Sequence, residues 1–151
     1  MISDNLLFKV IQFAYDAHDG QVDKQGKPYI LHPLRVCLSM SDNDLRVVAI
    51  LHDVLEDTCI TVDDLRFKLL LPEDIVADVI YLSKPSRSLK TTYVEYIKQI
   101  NIRGGRAKKV KIADIQDNFS RLPSLELIDK SAADRLYRKY TEALKILKEY
   151  E

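Results

Sequence analysis

Apolar residues recur along this chain at intervals of three and four rather than two, a spacing that predicts helices almost throughout. Ile2, Leu6, Leu7, Val10, Ile11 and Ala14 make the first stripe, with His18 helping to end the helix and Asp19–Gly20 as its stop. Gln21–Tyr29 is polar, contains Gly26 and Pro28, and reads as a loop. Pro33 then sits in the first turn of a second helix carrying Leu34, Val36, Leu38 and Met40. A third helix, from about Asp44 to Asp57, is apolar almost all round and is therefore expected at the centre of the fold. Thr61–Asp64 reads as a cap, with Thr61 or Asp63 supplying the oxygen, that opens a fourth helix. A fifth spans Pro72 to Leu82, followed by a Lys84–Ser88 loop, and a sixth spans Tyr93 to Ile100. Gly104–Gly105 breaks the pattern before a seventh, Ala107 to about Leu122. The tail, Ala132 to Tyr150, is a long amphipathic helix with Leu136, Tyr140, Leu144, Ile146 and Leu147. Neither repeats nor a linker-like stretch divides the chain, so the expectation is one compact all-α domain.

Composition narrows the partners more than the fold. Lysine and arginine total 23 and aspartate and glutamate 23, which argues against bulk electrostatic binding to nucleic acid or to a membrane surface. No apolar run approaches the ~20 residues needed to span a bilayer. The N-terminal stretch has acidic residues on both sides of its apolar part, unlike a secretory signal, so a cytoplasmic protein is expected. Cys37 and Cys59 match no zinc-site spacing and are read as reduced core or near-core thiols.

The chemistry concentrates in AILHDVLEDT, residues 49–58. His52 and Asp53 interrupt a run of large apolar residues, where a carboxylate costs several kcal/mol unless a partner or a cation compensates it. Glu56 and Asp57 follow one turn later, and i,i+4 spacing sets His52 near Glu56 and Asp53 near Asp57. Three carboxylates within two turns, beside an imidazole, repel one another unless a cation sits among them. The alternative is a solvated acidic helix end, which the flanking Ile50, Leu51, Val54 and Leu55 disfavour. In VKIADIQDN, residues 110–118, Asp114 follows Ile112 and Ala113, with Asn118 one turn on; alone it would read as a paired aspartate. In KPYILHP, residues 27–33, His32 leaves a loop just before a helix-starting proline, a place from which a side chain is presented to a cleft. Two imidazoles and two carboxylates without thiolate suit Mn²⁺, and also Fe²⁺ or Zn²⁺, better than Ca²⁺ or a structural zinc. A water on such an ion becomes a nucleophile at neutral pH, with Glu56 and Asp57 placed to orient it and move its protons. The basic run Arg103, Arg106, Lys108, Lys109 and Lys111 is read as a solvated face rather than a substrate guide.

Together, AHDGQVDKQGKPYILHP (17–33), LHDVLEDT (51–58), YLSK (81–84) and VKIADIQDN (110–118) resemble the HD superfamily. More narrowly they resemble the hydrolase domain of the RelA/SpoT alarmone enzymes and their stand-alone small relatives, in order and at similar separations. The resemblance implies an HD-type helical bundle over residues 1–151, its motif-bearing core about 10–122 and its C-terminal helix about 132–150, around a central metal site. It implies His32, His52, Asp53 and Asp114 as metal ligands, Glu56 and Asp57 as the catalytic pair serving the attacking water, and Lys24, Tyr29 and Asn118 as substrate contacts. The implied reaction is Mn²⁺-dependent removal of the 3′-pyrophosphate from guanosine tetra- or pentaphosphate, with one divalent metal as cofactor and a small nucleotide as partner. Two positions depart from the pattern: Asp23 stands where the family usually carries a base-holding arginine, and Ile115 where an arginine is common. An anion at 23 cannot stack or donate as arginine does, which keeps open a phosphohydrolase for a different nucleotide. A nucleotide-binding regulator of the same fold without turnover is the remaining alternative. The C-terminal helix is read as packing on its own chain, with a homo-oligomer contact as the other use.

Overall fold

The structure is a computed structural model that describes residues 1–84 and 91–148. Nine α-helices follow one another in the described residues: α1 (Asp4–Ala17), α2 (Leu31–Leu38), α3 (Asn43–Leu51), α4 (Val54–Asp57), α5 (Glu73–Leu82), α6 (Tyr93–Arg103), α7 (Gly105–Ser120), α8 (Leu122–Glu126) and α9 (Lys130–Lys148). Each start has a local cause. Ser3 accepts the Leu6 N–H at 3.2 Å to open α1, and Asp42 accepts the Leu45 N–H at 2.9 Å to open α3. Thr92 and Glu95 form a reciprocal capping box at α6. Among the described residues the β-type pairing is an isolated bridge, Val22 with Pro28, pinching the loop before α2. No described helix is long and apolar enough to cross a membrane.

Helix α3 holds the centre, as its all-round apolarity predicts: Leu45 and Val47 through Leu51 are all buried. It packs against α1, α2, α5 and α7, while α7 in turn meets α2, α5, α6 and α9. This arrangement brings the ends of α2, α3 and the middle of α7 to one place. Helix α9 lies against α6, α7 and α8, its Leu136 joining Leu122, Leu125 and Ala133 in a small second core.

Three expectations need correcting. The helix expected to run from Asp44 to Asp57 stops at Leu51, and Val54–Asp57 is a separate turn. The His52 ring is the cause, because its Nδ1 lies 2.6 Å from the Ala49 carbonyl oxygen and takes the acceptor that the helical ladder would use next. The fourth helix is a five-residue π-helical turn, Asp64–Lys68, capped by Thr61 Oγ1 as expected. Leu70, at φ 53°, and Pro72 end it before an α-helix can propagate. Cys37 is a buried core thiol, but Cys59 is exposed; both are free. The Lys84–Ser88 loop lies beyond Lys84 outside the described residues.

Candidate functional site

His32 comes from the first turn of α2, His52 and Asp53 from the break after α3, and Asp114 from the middle of α7. His32 Nε2 is 2.9 Å from Asp114 Oδ1 and 3.9 Å from Asp53 Oδ2. His52 Nε2 is 3.0 Å from Asp53 Oδ2 and 3.4 Å from Asp114 Oδ1. One ligand-type atom from each of His32, His52 and Asp53 falls within 4.8 Å of the others. The structure thus gathers all four candidate ligands.

Whether this set suits a cation can be tested on the rings themselves. His52 gives its Nδ1 to the Ala49 carbonyl, so in the neutral ring Nε2 is a lone pair, buried and without a well-formed hydrogen bond, facing two carboxylates. Burial opposes charging this ring, yet Asp53 and Asp114 overcome it and hold its pKa well above the ordinary imidazole value. His32 behaves alike: burial lowers it, and its contacts with Asp114 and Asp117 raise it further. Asp114 is driven the other way, well below the usual carboxylate range, because Lys111 and His52 outweigh its burial. A site whose lone pairs and anions converge so closely fits a divalent ion.

Two neighbours escaped the sequence reading. Asp117, one turn beyond Asp114, lies 2.6 Å from His32 Nδ1 and accepts from Arg35 Nε at 2.8 Å. It fixes the His32 tautomer so that Nε2 faces the cluster. No spacing within either helix signals this pair, whose members lie 85 residues apart. Lys111, assigned above to a solvated face, is instead buried, with Nζ 2.8 Å from Asp114 Oδ2. Its position between Val110 and Ile112 was the clue. Arg103 and Arg106 of the same run pair with Asp78. We expect Asp117→Asn to keep the fold and weaken Mn²⁺ binding by about 10–100-fold, read by metal titration of the purified variant. Unchanged affinity would remove the positioning role.

His32, Asp53 and Asp114, with His52 buried beside them, form part of the wall of a cavity of about 240 Å³, shared with Tyr29, Glu56, Asp57, Lys84, Tyr93, Lys139 and Tyr140. The Tyr29 hydroxyl donates to Asp53 Oδ2, and burial together with Asp53 keeps it protonated. Glu56 accepts the Lys84 backbone N–H; burial and the charge of Asp53 raise its pKa, that N–H partly offsetting them. Asp57 is raised by burial and by Asp53 as well. Asn118 donates to Asp114 Oδ1 at 3.1 Å and, with Tyr29 and Tyr140, borders a second cavity of about 300 Å³. Lys24 and Asp23 line that second cavity, not the first. Asp23 Oδ1 ties the loop by accepting the Gln25 and Lys27 N–H groups at 2.8 and 3.0 Å, and its Oδ2 is 3.4 Å from Arg121 Nη1. A guanidinium therefore does reach this chamber, from the junction of α7 and α8. Ile115 is buried under the first cavity. His18 caps the end of α1, as expected, its ring 5.2 Å from that of Tyr29.

No family model matches the chain. Curated relatives do. The chain is 28% identical over 138 residues to the guanosine-3′,5′-bis(diphosphate) 3′-pyrophosphohydrolase of Borreliella burgdorferi, covering 86% of this chain and 20% of that protein. It is 34% identical over 121 residues to the enzyme of that name from Haemophilus influenzae, covering 74% and 18%. The match to the bifunctional (p)ppGpp synthase/hydrolase SpoT of Escherichia coli is 34% over 122 residues, covering 74% and 17%. The chain spans about a fifth of the length of these relatives. Among solved structures, a metazoan ortholog of SpoT that hydrolyzes ppGpp superposes with a TM-score of 0.80 at 23% identity, covering 98% of this chain and 88% of that one, a likeness of fold. The ordered motifs and these relatives agree that the chain is similar to the hydrolase part of alarmone enzymes, and the helical architecture shares its fold with the solved structure.

Proposed function

We propose that this chain is a divalent-metal-dependent hydrolase that removes the 3′-pyrophosphate from guanosine tetra- or pentaphosphate. The observation that carries the reading is the convergence of His32, His52, Asp53 and Asp114, three of which (His32, Asp53 and Asp114) line a cavity that also bears lysines. The relatives that bear this activity in their names support the same substrate. We read residues 1–151 as one such domain, with those four residues as ligands and Mn²⁺ as the ion, Fe²⁺ and Zn²⁺ being the other ions that suit the donors.

A bound divalent ion would supply Lewis acidity for water and for a phosphoryl oxygen. The remaining work falls to the protein. Glu56 and Asp57 are oriented at the cavity wall to take the proton of the attacking water; their raised pKa values suit that step. Water adds to the phosphorus attached to the ribose 3′ oxygen, and that P–O bond breaks. Pyrophosphate and a 3′-hydroxyl nucleoside 5′-di- or triphosphate result, the proton passing to the 3′ oxygen. Lys111, held charged beside Asp114, opposes the negative charge gathering on phosphate. Tyr29 keeps the Asp53 carboxylate aimed, and Asn118 does the same for Asp114. Lys24 and the chamber beyond Asn118 would face the nucleoside part.

The test is pyrophosphate release by metal-stripped protein given back Mn²⁺, across a nucleotide panel that includes guanosine tetraphosphate. Release from guanosine tetraphosphate is the expected result. Asp23 on the wall of the second chamber favours one other reading, hydrolysis of a different nucleotide, which release from an adenosine counterpart alone would select. Tight nucleotide binding without product, at full metal loading, would point instead to a regulator.

A further inference from the structure

The cavity that holds the metal-type cluster contains a second group of charges that the reaction as described leaves unused. Lys139, on α9, sets its Nζ 4.2 Å from the centre of the Tyr93 ring, and Lys84, just after α5, sets its Nζ 5.3 Å from the same ring. All three side chains line the cavity. Lys111 lies close by, its Nζ 5.3 Å from the ring of Tyr96, whose centroid is 6.0 Å from that of Tyr93. Among the described residues, neither Lys84 nor Lys139 has a carboxylate within ion-pair distance, whereas Lys111 has Asp114. Two ammonium groups from separate elements thus share one aromatic platform with no carboxylate of the described residues in ion-pair contact with either.

Such a grouping is costly by itself, since like charges repel and partial burial strips water from both. Burial and the neighbouring Lys84 and Lys111 push the Lys139 ammonium down to about 8, the mark of a cation held among cations. Cation–π contact with Tyr93 recovers only part of that cost. A multiply charged anion would recover the rest, because ammonium groups preset around it lose little freedom on binding.

We propose that Lys139 and Lys84, over Tyr93, form a second phosphate subsite of this cavity, which grips the phosphate group next to the one at the His32–His52–Asp53–Asp114 cluster. This deepens the function proposed above and rests on it for the identity of the substrate. It makes Lys139 a specificity-determining residue: the cavity takes a pyrophosphoryl group in preference to a single phosphoryl group. Lys139 touches the distal phosphate of the pyrophosphoryl group and neither the attacking water nor the departing 3′ oxygen, so its loss acts on binding.

The test uses inorganic pyrophosphate and orthophosphate as probes, titrated calorimetrically into the metal-stripped full chain. Lys139→Met is expected to weaken pyrophosphate binding about tenfold and to change orthophosphate binding by less than about twofold. Lys139→Arg should retain most of the pyrophosphate affinity, and Lys145→Met, exposed on the same helix and outside the cavity, should change neither. In turnover, Lys139→Met should raise KM and leave kcat within a few-fold. Equal weakening of both probes, or unchanged pyrophosphate binding in both Lys139→Met and Lys84→Met, overturns the subsite. A chain that shows the Lys139-dependent preference for pyrophosphate but hydrolyses no member of the nucleotide panel would keep the subsite and discard the proposed function.

Discussion

Asp53→Asn should lower turnover by at least about 10³-fold, about 4 kcal/mol of transition-state stabilisation, while the helical fold survives. The amide has the volume of the carboxylate and can still accept the Tyr29 hydroxyl, so packing is preserved. What it removes is a negative charge 3.0 Å from His52 Nε2 and 3.9 Å from His32 Nε2. Without that charge the cluster loses one of the two carboxylates that lie against both imidazoles, and its attraction for a divalent ion falls with it. Asp53 is a cleaner choice than Asp114, whose loss would also strand the buried Lys111 ammonium and so destabilise α7. The check pairs pyrophosphate release with Mn²⁺ titration and circular dichroism on the same preparation. A folded, metal-loaded variant that still turns over would sink the ligand assignment.

Asp78→Ala should destabilise the fold by about 2–4 kcal/mol, at the lower end of what breaking a buried ion pair costs. Asp78 is buried on α5 and carries two guanidinium groups at once. Arg106 Nε donates to Oδ2 at 2.7 Å, and Arg103 Nε and Nη2 donate to Oδ1 at 3.2 and 3.1 Å. Arg106 also reaches Asp74 at 2.7 Å, so the network ties α5 to both α6 and α7. Removing the carboxylate leaves two cations facing each other across a partly buried gap. Since the arginines remain about 30% exposed, water softens the effect. For a domain of this size the loss corresponds to a fall in Tm of about 5–15 °C, measured by thermal unfolding. A drop of less than about 2 °C would show that the network contributes no more than surface pairs do. Because α7 carries Asp114 and Asp117, the same variant should also weaken metal binding as the temperature approaches its lower Tm.

The sequence by itself determined the class of fold and the position of its central element. Helical periodicity is a property of near neighbours in the chain, so α1, α2, α5, α6, α7 and α9 could be read from their own residues to within a few positions. The all-apolar run from Leu45 to Leu51 had to be buried on every side, and it is. The candidates were also legible: His52, Asp53 and Asp114 as ionisable groups in apolar helical runs, which call for a partner, and His32 from its place before a helix-starting proline, their ligand roles being implied by the ordered motifs.

Only the tertiary structure decided what those partners are. The end of α3 at Leu51 depends on where the His52 ring turns, and the pattern of apolar residues continues straight through it. Asp117 against His32, 85 residues apart, and Lys139 against Tyr93 and Lys84 are meetings between separate helices that no local spacing encodes. Lys111 reads as one basic residue among five along the chain, yet the fold turns it inward to Asp114 while Arg103 and Arg106 turn to Asp78. Periodicity fixes which face of a helix is apolar, but the angle at which α2, α3, α5, α7 and α9 close on one another selects which charges meet. That closure is set by packing of the whole core, so the chemistry of the cavity wall became visible only once the helices were in place.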